Sequence, residues 1–68
     1  MELTKAIVDC MQTLRRRLRD ELDINIRLSQ SDAINAMLLA CLQSSQEETR
    51  ELGSRLSELS GIHLPPPQ

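Results

Sequence analysis

The chain has 68 residues, a net charge of −2 and no Phe, Tyr or Trp. That length builds one small domain at most, and a core of that size is marginal unless something else supports it. With two cysteines and one histidine there is no disulfide framework and no metal-ligand cluster, so oligomerisation is the support to expect.

Burial has to come from Leu, Ile, Met, Ala, Val and Cys, which together with abundant Glu, Arg, Gln and Ser is a helix-bundle palette. The charge is unevenly spread. Residues 2–22 carry five basic and four acidic side chains, and residues 23–60 carry three basic and six acidic ones. This balance lacks the overall footprint of a dedicated nucleic-acid binder. No apolar run reaches membrane-spanning length, and the N-terminus lacks the charged-then-apolar build of a signal peptide. Asp9 beside Cys10 is unlike a lipoprotein cleavage site. Two unpaired cysteines suit a reducing compartment, so the expectation is a soluble cytoplasmic protein without a cofactor.

The first element is an amphipathic helix over about 2–22. Leu3, Ile7, Cys10, Met11, Leu14, Leu18 and Leu22 recur at steps of three and four and share one face. Lys5, Arg15, Arg16 and Arg19 fall on the other, and no Gly or Pro interrupts the segment. At 1.5 Å per residue this helix is roughly 30 Å long.

Over 23–30 the period changes to two: Ile24, Ile26 and Leu28 alternate with Asn25, Arg27 and Ser29. The pattern fits an extended connection whose apolar side chains cover the end of a bundle, and a short paired strand is the alternative. Ser29 and Asp32 stand in a capping-box relation, with Ser31 a competing cap.

From Ala33 to Leu42 the chain is apolar almost all round, as in a helix buried on several sides. Beyond Gln43 the pattern narrows to one stripe. Leu38, Leu42, Ser45, Thr49, Leu52, Leu56 and Leu59 step by four and three, the seam of a supercoiled helix. Ser45 and Glu48 match a second capping box that would start a new helix. The unbroken phase, with no Gly or Pro near 43–46, favours one long or bent helix over 31–60. Gly61 is the expected stop, and Pro65, Pro66 and Pro67 cannot continue a helix.

Folding the first helix back on the second leaves the second longer by roughly 15 Å. Leu52, Leu56 and Leu59 then overhang and need a partner. Ser45 and Thr49 would mark a close crossing or a register device in the seam, and Gly53 a close approach or a hinge.

Candidate chemistry is sparse. Arg15, Arg16, Arg17 and Arg19 fan around the helix and read as a solvated, internally paired face. Arg15, Arg16 and Arg19 are the residues to contact an acidic partner or a nucleic acid. Cys10 and Cys41 read as buried small side chains, His63 as a surface tail residue, and Glu47, Glu48 and Glu51 as a solvated face. There is no nucleophile triad, phosphate-binding glycine loop or metal motif, so enzymatic activity is not expected.

Ile24-Asn25-Ile26-Arg27-Leu28 followed by a capped helix resembles the ribbon-helix-helix repressors, particularly their Arc-like branch. The resemblance implies a strand paired with its two-fold mate in the DNA major groove, with Asn25 and Arg27 reading bases. The chain departs from that pattern in the long preceding helix, in lacking a Gly turn, and in Glu47 and Glu48 where the fold needs apolar residues.

The sequence therefore predicts an all-α helical hairpin over 1–61, with a Pro-rich tail or linker over 62–68. It would pair with a second copy as a homodimeric four-helix bundle, or with a partner protein's helix. Its role would be protein–protein interaction, as a regulator, adaptor or secretion-type chaperone. The alternative is a dimeric ribbon-helix-helix-like DNA-binding regulator.

Overall fold

Three helices, α1 (Lys5–Leu22), α2 (Asp32–Leu42) and α3 (Glu47–Ser60), form in the computed structural model, which describes residues 3–26 and 32–63. Thr4 starts α1. Its backbone is extended, and its hydroxyl oxygen accepts the Ile7 N–H at 3.3 Å, satisfying one of the free donors of the first turn. The face buried by α1 is Ile7, Cys10, Met11, Leu14 and Leu18, all members of the stripe expected from spacing.

Asp23 ends the helix by turning left-handed at φ 55°, a conformation that Asp tolerates better than most residues. The Asp23 N–H then reaches the Arg19 carbonyl at 3.1 Å and the Ile24 N–H the Leu18 carbonyl at 3.2 Å. Ile24 and Ile26 are half-buried against the core and Asn25 is exposed, as in a connection covering the end of a bundle. No strand forms among the described residues, and the candidate ribbon over 24–28 lies only partly within them. Arg27, Leu28 and the caps Ser29 and Ser31 lie outside the described residues.

The expected long helix over 31–60 is two helices. Its break needs neither Gly nor Pro. After Leu42 the chain tightens, with Gln43 N–H bonded to the Ala40 carbonyl and Ser44 N–H to that of Cys41. The Ser44 hydroxyl oxygen then accepts the Gln46 N–H at 3.0 Å, a local serine bond that competes with helix continuation. The seam phase runs through this turn because α2 and α3 are each amphipathic, not because they share an axis. The longest extent of the molecule is 29 Å, whereas a single helix over 31–60 would need about 45 Å.

Folding α3 back as a third helix removes the overhang. Leu56 and Thr49 are completely buried, and Leu52 packs half-buried against the core. Of the three leucines expected to need a partner, only Leu59 stays exposed, at 39%. The core is Ile7, Met11, Leu14 and Leu18 of α1, Ile34 and Met37 of α2, and Leu56 of α3, so each helix contributes to one centre. Gly61 stops α3 as expected, left-handed at φ 72° with its N–H on the Ser57 carbonyl.

Two leucines distinguish this arrangement from the hairpin. Leu56→Ala should cost about 2–5 kcal/mol by urea denaturation. Leu59→Ala should cost no more than about 1 kcal/mol. Equal effects at both positions would contradict the three-helix core.

Candidate protein-interaction surface

The surface is positioned by the way α3 is held. Gln46 precedes α3 with extended backbone and supplies no side-chain cap. The cap comes instead from Glu21, in the last turn of α1. Its carboxylate accepts the Ser44 hydroxyl and accepts the Thr49 hydroxyl at 3.0 Å, and the backbone N–H groups of Ser45 and Gln46 lie close enough to favour its charge. A carboxylate at a helix N-terminus also answers the positive end of the helix dipole. The Ser44 hydroxyl is the largest cause holding the Glu21 carboxyl below its ordinary range, with the Thr49 hydroxyl and the two backbone donors adding to it against partial desolvation. Ser44 and Thr49 are themselves buried, and no buried side-chain polar atom among the described residues lacks a partner. Arg17 pairs with Glu48 alongside, but both are well exposed and the pair adds little.

Further along, α3 lies close against α2. A Cβ at Gly53 would stand 2.8 Å from Cys41 Cβ and 3.0 Å from its Sγ, so the helices touch backbone to side chain there. Gly53 is thus a close-approach residue. Above this contact the helices splay into an open groove of about 360 Å³. Its walls are Leu38 and Leu42 on one side and Arg50, Ser54 and Ser57 on the other. Leu42 is 54% exposed and Leu39, next to it on α2, 53%. Asp32, Asn35, Ala36 and Gln43 complete the exposed face of α2.

The stripe chosen from the sequence is therefore dispersed. Leu38 and Leu42 line the groove, Ser45 is exposed in the turn, and Thr49 and Leu56 are core. Leu59 sits with Arg55 and Glu58 on the outer side of α3, about 160° around the helix from Ser57. Leu39, Arg50 and Glu21 were not singled out. The signal for Leu39 was masked by the apolar run around it. Glu21 looked like one more surface carboxylate, and only its bond to Ser44 reveals its role.

Arg15, Arg16 and Arg19 are exposed and fall within a sector of about 100° on α1. Together with Gln12 and Asp20 they line one shallow depression. Arg17 alone of the four has an ion-pair partner among the described residues. The expected internally paired face is instead a three-arginine patch that suits an anionic group.

Cys10 and Cys41 are free and buried. Burial, with the neighbouring Cys10 and Glu21 adding to it, pushes the Cys41 thiol up to about 11, and burial likewise raises Cys10 despite nearby Arg55. Both therefore stay protonated at neutral pH and are poor nucleophiles. His63 Nδ1 lies 3.2 Å from the Ser57 hydroxyl, which donates to the Ile62 carbonyl at 2.7 Å. With its proton committed there, Ser57 accepts from the imidazole, and the contact clasps the end of α3. No group of three or more His, Cys, Asp or Glu side chains among the described residues is gathered as a metal would require.

Two predictions follow from this geometry. Gly53→Ala should lower the melting temperature, although alanine favours a helix by about 0.8–1 kcal/mol, because the added methyl collides with Cys41. A rise in the circular-dichroism melt would refute the close approach. Glu21 is held ionised in the fold, so its contribution is complete above the ordinary value of 4.5 and is lost as pH falls through the lowered folded value. Glu21→Gln should lower the melting temperature at pH 7 and flatten its decline below pH 4.5. An unchanged acid profile would show that the cap does not matter.

No helix among the described residues is long and apolar enough to cross a membrane. Comparison of the chain with protein-family models, with curated proteins and with solved structures returns no match.

Proposed function

We propose that the chain is a small protein–protein interaction module, a regulator or adaptor that self-associates through the exposed face of α2. The observation that carries this reading is the pair Leu39 and Leu42, each more than half exposed beside the groove between α2 and α3. Burying a leucine fully is worth roughly 1.5–3 kcal/mol, so covering this pair is a large fraction of what so small a core supplies. Each protomer brings three helices, so the assembly is a pair of three-helix units in place of a four-helix bundle of hairpins. The arginine patch on α1 faces elsewhere and gives such a module a contact for an acidic protein partner.

Sedimentation equilibrium from micromolar to near-millimolar concentration tests the reading. The wild-type chain should associate, whereas Leu39→Asp should stay monomeric with an unchanged helical circular-dichroism spectrum. Association that survives both Leu39→Asp and Leu42→Asp would overturn the assignment of this face.

A further inference from the structure

The α2 face carries a pattern that matches itself in reverse. Ala36, Leu39 and Leu42 follow one another at steps of three along the exposed side. If a second α2 lies antiparallel over the first with Leu39 opposite its own mate, each Leu42 falls over the other chain's Ala36. A large side chain then meets a small one on both sides of the centre, as close helix packing requires. The charges reverse in the same way. Asp32 is exposed in the first turn of α2, seven residues or about 10.5 Å before Leu39. An antiparallel mate therefore sets its Asp32 the same distance beyond Leu39 in the other direction, about 6 Å past Leu42, beyond the end of the groove wall that faces Arg50. Neither Asp32 nor Arg50 has an ion-pair partner among the described residues.

We propose that what covers the exposed face of α2 is a second copy of this chain. It docks α2 against α2 across a two-fold axis at Leu39, with two symmetry-related Asp32–Arg50 ion pairs closing the ends. This rests on the self-association reading above and specifies its docking geometry. Such an interface is isologous and closed, so assembly stops at the dimer. Asp32 near the start of one chain's α3 also meets the positive end of that helix, which reinforces the orientation.

Charge reversal tests the pairing. Arg50→Asp and Asp32→Lys should each weaken self-association at least about tenfold, because each places like charges at both ends of the interface. Mixing the two variants should restore dimerisation to near wild-type affinity, as a heterodimer in which both pairs have opposite charges. Circular dichroism shows whether each variant is folded. The double variant, which restores both pairs within one chain, should dimerise by itself and provides a second route to the same answer. If both single variants dimerise like wild type while Leu39→Asp does not, the α2 face stands as the contact and this pairing is overturned. If the wild-type chain is monomeric throughout, a second copy does not cover this face and the proposal falls.

Discussion

The fold depends on one carboxylate. Glu21, at the end of α1, provides the bonds that the start of α3 does not provide for itself. Without that carboxylate, the buried hydroxyls of Ser44 and Thr49 would lose their shared acceptor. A buried polar group without a partner costs more than the bond itself contributes, so the site is strongly asymmetric between satisfied and unsatisfied. The Glu21–Thr49 bond also ties the first turn of α3 to the last turn of α1.

This dependence explains how much of the structure was legible in the sequence. The first helix was read correctly from its apolar spacing, because local spacing decides which face an isolated amphipathic helix buries. Gly61 was read correctly for the same local reason. The break at 43–46 was not, because the local Ser44–Gln46 bond is joined there by a Ser44–Glu21 bond that spans 23 residues, and no windowed pattern contains the second. Ser45 and Glu48 did hint at a helix start. The serine that acts is its neighbour Ser44, and the acid that acts lies on another helix. A regular stripe that crosses a turn shows that heptad spacing is necessary for one continuous helix without being sufficient.

The interaction face was barely legible for a different reason. Within Ala33–Leu42 only Asn35 is polar, so the uncovered side is marked only weakly, by Asn35 with Asp32 and Gln43 at its ends. Which side is left uncovered is decided by where α1 and α3 lie. Two neighbours cannot surround a helix, and the uncovered side of α2 carries Leu39 and Leu42. Groove and knobs are thus what remains when three short helices share one core. Arg50 gains its place on the rim from the closeness of Gly53 to Cys41, since a larger residue at 53 would push α3 away.

The two thiols give α3 a built-in pair of reporters. Cys10 Sγ lies 3.5 Å from the Leu52 carbonyl on the α1 side, and Cys41 lies against Gly53 on the α2 side. Both are buried and protonated, so a thiol reagent reacts slowly with either one until α3 moves off its neighbour. Their labelling rates therefore measure opening of the two interfaces separately, in the native protein and without any added probe. A helix that leaves α2 before α1 would expose Cys41 first, and one that detaches as a unit would expose both together.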